Sequence, residues 1–172
     1  TGVVPYQLAI GNFTEADVPQ LAVVSQFAEL FVINPLNGTI FYQSPSGVAY
    51  PGSRIRAHDF NDDGFDDIVT SWEEIHIVDV DNGSIYYNST FMGTILEIFV
   101  EDFDGDGSTE VLALTFENGV FLEEVESGIT QWHYEPDSMW YLVGADVAQI
   151  GGTGDYDIVI TGGTTFNESI ML

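Results

Sequence analysis

The sequence predicts an all-β chain made of repeated four-stranded antiparallel units, about three and a half of them, with the last unit incomplete. Three observations predict it. A polar–apolar anchor recurs as Asn12-Phe13, Asp59-Phe60, Asp102-Phe103 and Gln149-Ile150, at spacings of 47, 43 and 47 residues. A turn glycine recurs in Asn37-Gly38, Asn82-Gly83 and Ser127-Gly128, at spacings of 45 and 45. After every anchor comes a loop and then an apolar strand. A period of about 40 to 50 residues with four strands per unit is the signature of a β-propeller blade. The chain therefore reads as one propeller-type domain over 1–172, or part of one, with repeats over about 4–50, 51–93, 94–138 and 139–172.

The units are built alike. The strand after the anchor is Leu21-Ala22-Val23-Val24 in the first, Ile68-Val69 in the second, Val111-Leu112-Ala113-Leu114 in the third and Ile158-Val159-Ile160 in the fourth. The turn glycine then divides Leu30 to Ile33 from Thr39 to Tyr42, Ile75 to Val78 from Ser84 to Tyr87, and Val120 to Glu123 from Ile129 to Tyr134. Hairpins are divided in this way, and Asn-Gly is the favoured pair for a two-residue turn. The fourth unit reaches Leu172 where its turn glycine is due, so its outermost strand is missing. An open sheet edge is a template for another chain. The chain is expected to be either a fragment of a larger propeller or a subunit completed by strand addition from a neighbour.

Two anchors open loops of distinctive chemistry. Asp59-Phe60-Asn61-Asp62-Asp63-Gly64-Phe65-Asp66-Asp67 and Asp102-Phe103-Asp104-Gly105-Asp106-Gly107-Ser108-Thr109-Glu110 place oxygen ligands at alternate positions around a glycine. Calcium takes about 6 to 8 oxygen ligands, so a short loop must curl several carboxylates and a carbonyl around one point. Side chains at positions 1, 3, 5 and 9 and the carbonyl of position 7 make one predicted site of Asp59, Asn61, Asp63, Phe65 and Asp67. The second comprises Asp102, Asp104, Asp106, Ser108 and Glu110. A helix–loop–helix calcium site is excluded, because Thr70 and Ala113 stand where its bidentate glutamate belongs. The first unit has Asn12, Thr14, Ala16 and Gln20 at the ligand positions, and the fourth has Gln149, Gly151, Thr153 and Asp157. Calcium is not expected in either.

A calcium loop followed by a hydrophobic strand resembles the FG-GAP or VCBS type of repeat, the blade of integrin alpha-subunit propellers and of many extracellular bacterial and archaeal proteins. The resemblance covers essentially the whole chain, although the Phe-Gly and Gly-Ala-Pro signatures are absent. It implies a calcium-stabilised propeller with a structural or adhesive role.

Composition sets the surroundings. The 172 residues are 45% apolar, enough for a real core, and the mean hydropathy is +0.11. Against 28 acidic residues stand only Arg54 and Arg56, giving a net charge of −26. Such a surface repels nucleic acid and anionic membranes and collects cations. There is no cysteine for disulfides or thiol chemistry. No apolar run of about 18 residues suggests membrane insertion. The start at Thr1-Gly2-Val3-Val4-Pro5 has no basic leader, so a signal peptide is expected to be removed or to lie outside this chain.

Five of the eight asparagines, Asn12, Asn37, Asn82, Asn88 and Asn167, open N-x-S/T sequons, whereas 24 Ser and Thr in 172 residues would give about one by chance. That excess predicts a secreted, glycosylated protein.

No catalytic constellation emerges. His58, His76 and His133 are isolated in sequence, and no nucleophile turn is present. The pairs Glu73-Glu74 and Glu123-Glu124 would point to opposite faces of a strand and are read as solvated rims. Trp72, Trp132, Tyr134, Trp140 and Tyr141 are read as packing between blades, with stacking on sugars the alternative. The sequence therefore predicts no enzyme. The expected function is an extracellular calcium-stabilised module with a structural or adhesive role toward a protein or glycan. One alternative is a subunit of a self-assembling glycosylated filament or sheath, associating through its open blade edge. Another is an accessory module of a secreted polysaccharide-degrading enzyme.

Overall fold

The computed structural model describes residues 4–14, 18–45, 47–71, 73–89, 93–116, 118–135, 140–149, 156–164 and 169–171. Among them every regular element is a strand. The chain divides into two compact units, Thr1–Asn88 and Ser89–Leu172.

The first unit holds two sheets. One comprises β1 (Pro5–Gly11), β2 (Gln20–Ser25), β3 (Leu30–Ile33) and β4 (Ile40–Gln43), hydrogen-bonded in that order. The other comprises β5 (Arg54–His58), β6 (Asp67–Ser71), β7 (Ile75–Val78) and β8 (Ile85–Asn88), again in order. In the second unit β9 (Ile95–Glu101), β10 (Glu110–Thr115), β11 (Gly119–Glu124) and β12 (Ile129–Tyr134) repeat the pattern. There β13 (Trp140–Ala148), β14 (Asp157–Thr164) and β15 (Ser169–Met171) form a three-stranded sheet. All pairings are antiparallel, and each sheet falls within one sequence repeat. The chain is thus an all-β array of propeller-type blades whose fourth sheet has three strands among the described residues.

β3, β7 and β12 have the predicted limits, while β4 and β8 begin one residue late. The turns explain the shift. Asn34 N–H donates to the Thr39 carbonyl and Asp79 N–H to that of Ser84, closing a loop longer than two residues. Gly38, Gly83 and Gly128 N–H groups reach back four residues to Asn34, Asp79 and Glu124. Only the glycines take positive φ, at +73°, +74° and +65°, so the Asn-Gly pairs do not form the primed two-residue turn expected of them.

Blade packing follows one rule in both units. Successive strand residues point to opposite faces, so each blade has two distinct sheet faces. In the first unit Ala22, Val24, Leu30 and Val32 of the first blade share a core with Ile55, Ile68 and Val78 of the second. In the second unit Leu112, Leu114 and Val120 of the third blade share one with Leu142, Ile158 and Ile160 of the fourth. By the repeat spacing, Ala22 and Val24 correspond to Leu112 and Leu114, and Ile68 to Ile158. Each pair therefore presses the forward face of one blade onto the rear face of the next. Fully burying each aliphatic side chain contributes about 1.5–3 kcal/mol.

Phe13, from the first anchor, is fully buried in this core. Gly11 ends β1 at the same place, where a Cβ would lie 2.7 Å from Phe13 Cζ, 2.8 Å from Asp66 Oδ2 and 2.9 Å from Ala57 Cβ.

Candidate metal centre

The acidic loops connect the first two strands of their blades, β5 to β6 and β9 to β10. In the third blade, Asp102 receives Gly105 N–H at 2.7 Å on Oδ1 and Gly107 N–H at 3.0 Å on Oδ2. Asp104 Oδ1 accepts from Asp106 N–H at 3.1 Å, and Asp106 Oδ1 accepts from Ser108 N–H at 2.7 Å. Each aspartate thus folds the backbone ahead of it. Gly107 at position 6 has φ +95°, as the sharp turn requires, and Gly105 at position 4 has φ +77°. The result brings carboxylate oxygens of Asp102, Asp104 and Asp106 within 4.8 Å of one another.

Glu110, at position 9, opens β10 and is fully buried. Its Oε2 accepts from Phe103 N–H at 2.8 Å, while Oε1 is buried without a hydrogen-bond partner. Burial raises the Glu110 pKa, opposed by the Phe103 hydrogen bond and reinforced by the charges of Asp104, Asp102 and Asp106. Glu110 itself is not part of that three-carboxylate cluster, but its orphaned acceptor closes the same loop at position 9, and an all-oxygen donor set of this kind suits a hard cation. The residues present therefore fit calcium.

In the second blade, Asp59 accepts Asp63 N–H on Oδ1 at 3.2 Å and Gly64 N–H on Oδ2 at 2.9 Å. Asn61 Oδ1 accepts from Asp63 N–H at 3.0 Å, and Asp63 Oδ1 from Phe65 N–H at 2.9 Å. Gly64 takes φ +91°, and position 4 is here Asp62, held at φ +57°. Asp67 Oδ2 accepts from Phe60 N–H at 3.2 Å and from the Tyr86 hydroxyl at 2.6 Å. Burial pushes the Asp67 carboxyl up to about 6 despite those two bonds, and the Tyr86 hydroxyl is raised as well, chiefly by burial.

The first blade keeps the position-9 contact with uncharged residues at the described ligand positions Asn12, Thr14 and Gln20. Gln20 occupies position 9, and its Oε1 accepts from Phe13 N–H at 3.0 Å and Thr14 N–H at 3.1 Å. Gln20, Asp67 and Glu110 thus bind the same backbone amide, that of the anchor Phe, in three blades. This clamp was not deduced from the sequence, although a polar residue eight positions after each anchor signals it. Asn12 Oδ1, Thr14 Oγ1 and Gln20 Nε2 are buried without partners. Asn12 also joins the second loop, its N–H donating to Asp66 Oδ2 at 2.7 Å and its carbonyl accepting from Asp66 N–H at 2.8 Å. Ala16 of this loop lies outside the described residues. So do Gly151 and Thr153 of the fourth, of which Gln149 and Asp157 are exposed.

Among the sequon asparagines, Asn37 and Asn82 are exposed at hairpin tips, their Oδ1 atoms accepting from Thr39 and Ser84 N–H. Asn88 is exposed and its Oδ1 lies 2.6 Å from His76 Nδ1. The Asn12 side chain is turned into the blade junction, with Nδ2 donating to the Gly64 carbonyl at 3.4 Å. Asn167 lies outside the described residues.

The acidic pairs need correction. Glu73 and Glu74 sit in the turn between β6 and β7 rather than on a strand. Glu123 is fully buried, accepting from Thr130 Oγ1 at 3.3 Å, because an inward position on β11 leaves it no route to solvent. Trp132 is 40% exposed and stacked near Tyr134 on β12, instead of being enclosed between blades. Trp72 and the side chains of Trp140 and Tyr141 are outside the described set. No helix among the described residues is long and apolar enough to cross a membrane.

Fold and loops together define an all-β, propeller-like array of blades. No family model and no curated protein matches the sequence. Solved structures do match in fold. The chain is similar to the β-propeller of BBS1N, crystallised in complex with ARL6DN, at TM-score 0.66 and 12% identity over 94% of this chain and 50% of that one. It is similar to the V. cholerae biofilm matrix protein Bap1 at TM-score 0.66 and 18% identity, covering 95% of this chain and 30% of that one. The computationally designed Ika4 protein matches at TM-score 0.65 and 8% identity over 100% of this chain and 92% of that one. The chain thus spans half or less of the BBS1N and Bap1 chains. At these identities the likeness is one of fold.

Proposed function

We propose that the chain is an extracellular, calcium-stabilised β-propeller module of the FG-GAP or VCBS type, with a structural or adhesive role and no catalytic one. The observation that carries the reading is the third-blade loop, where Asp102, Asp104 and Asp106 converge and the position-9 residue Glu110 keeps a buried carboxylate oxygen without a partner. Asp59, Asn61, Asp63 and Asp67 would hold a second ion, with the carbonyls of Phe65 and Ser108 completing the two sites. When bound, calcium supplies positive charge that neutralises each loop. The chain's own groups do the rest: the aspartates fold the turn, and Asp67 and Glu110 tie it to the anchor amides. Loops fixed in this way hold the first hairpin of each blade rigid. Neutralisation matters in a chain of net charge −26, whose self-repulsion opposes compaction. Glycans on Asn37, Asn82 and Asn88 fit their exposed positions and an extracellular setting.

The test is a calorimetric titration of chelated protein with calcium and, separately, magnesium. The reading expects two calcium ions per chain and a raised melting temperature, with magnesium a weak substitute. No binding and an unchanged melting temperature would overturn it.

A further inference from the structure

We infer that the rear face of the first blade docks onto the forward face of the fourth blade in a second copy of this chain. The repeat itself supports this. In the second blade, Ile55, Ala57, Ile68 and Val78 form the rear face that packs on the blade before it. The repeat spacing maps these onto Leu8, Ile10, Leu21 and Ile33 of the first blade. The pairings Leu8–Val23, Ile10–Leu21, Val23–Phe31 and Leu21–Ile33 place six apolar side chains on that one face. Yet Leu8 and Ile10 remain 55% and 69% exposed, and Ile40, paired with Ile33, 55%. Leu8, Leu21, Ile33 and Ile40, with Pro5 and Gly38, line an open groove of about 380 Å³. A soluble chain rarely leaves so continuous an apolar surface uncovered.

The occupant follows from continuity with the interface seen twice in the molecule, forward face onto rear face. On the forward face of the fourth blade, Val159 and Thr161 correspond to Ala22 and Val24, the residues that receive the second blade. Thr161 is exposed and Val159 half-buried, and Gly144, paired with Thr161, leaves room for the bulky side chains of a rear face. Asp146 is exposed on the same face, so association will strengthen as salt screens the chain's charge. A rear-on-forward contact is heterologous and propagates into a chain of subunits or a ring. Sheet-face packing is also distinct from strand addition at a blade edge. The inference gives the structural reading above its partner, and rests on that reading only for the biological role.

The experiment is sedimentation of this chain in glycosylated form across a concentration series in about 0.5 M salt with calcium, a concentration at which the Debye length is only a few ångströms. Wild type is expected to self-associate. Leu8→Asp and, as a second probe less exposed to folding defects, Ile40→Asp are expected to weaken association at least about tenfold, the scale of one lost apolar anchor. Leu36→Asp, 88% exposed and off this face, should behave as wild type. Leu8→Asp mixed with Thr161→Asp should give a one-to-one heterodimer through the two intact faces. A wild type that stays monomeric overturns the inference, as does a Thr161→Asp variant that dimerises alone, which would mean rear face against rear face. Calcium content is read separately on the same samples. Association without bound calcium would sink the functional reading and leave this one standing.

Discussion

The first and third blades share one contact at position 9 and differ in the chemistry it leaves behind. In both, position 9 is fully buried and its side-chain oxygen accepts from the anchor amide, Gln20 to Phe13 and Glu110 to Phe103. They differ in the atom left over. Glu110 leaves an oxygen, Oε1, and Gln20 leaves the amide nitrogen Nε2, both without partners. A carboxylate oxygen attracts a cation, whereas an N–H donor repels one and invites an acceptor such as water. The flip that would exchange Gln20's two atoms is blocked, since Oε1 already receives two backbone N–H groups. The lesson is that the amide clamp is common to the first three blades. On the proposed reading, ion binding would be added to it by the second oxygen of Glu110 and by the carboxylates of Asp102, Asp104 and Asp106.

The largest expected effect comes from making the third loop resemble the first. Glu110→Gln preserves the clamp and replaces the free oxygen by a donor. Calorimetry should then show one calcium ion per chain instead of two, with affinity at the altered loop lower by about 100-fold or more, the scale of a lost charged ligand in a low-dielectric site. Undiminished binding would mean that Glu110 is only a clamp.

Asp63→Ala breaks the second loop and leaves the third intact. If calcium at about 100 times Kd adds roughly 2.7 kcal/mol per site, the variant's melting temperature in calcium should fall by about 5–10 °C. In chelator, wild type and variant should melt much closer together. An equal gap in both media would assign Asp63 a purely structural role.

The pH dependence of chelated protein sharpens the contrast further. Asp67 titrates near 6 in the folded chain against a reference of 3.8, because burial disfavours its charge. A raised folded pKa means stability that is fully present below the reference value and lost as pH rises through the folded value. Without calcium the protein should therefore become less stable between about pH 4 and 6. With calcium, which requires the ionised carboxylate, that trend should weaken or reverse. A denaturant midpoint measured across this range checks both arms.

The smallest effect concerns position 4. Asp62 holds φ +57° where the third loop uses Gly105, so Asp62→Gly should relieve the strained backbone. Thermal unfolding should show a gain of no more than about 1 kcal/mol.

Much of this architecture was legible in the sequence because it is written in periods. The anchor and turn-glycine spacings located four sheets, and β3, β7 and β12 fell where the turn glycines divided the hairpins. The alternating aspartates of the third loop foretold their convergence, since each carboxylate folds the turn that aims the next. What stayed hidden depends on facing, not on spacing. Glu123 reads as a rim residue until β11 turns it inward, and Asn37-Gly38 reads as a tight turn until Asn34 and Thr39 close a wider one. The clamp leaves only a polar residue eight positions after each anchor as its mark, because Gln20, Asp67 and Glu110 share no charge. Only the backbone shows that they meet the same amide.

The most direct test of the account is the number of calcium ions bound by natively purified wild-type chain after dialysis at low free calcium, read by elemental analysis against protein mass. The account predicts two per chain, neither at the loop of Gln20. None would show the converging carboxylates to be a solvated turn, and three would contradict the distinction drawn between Gln20 and Glu110.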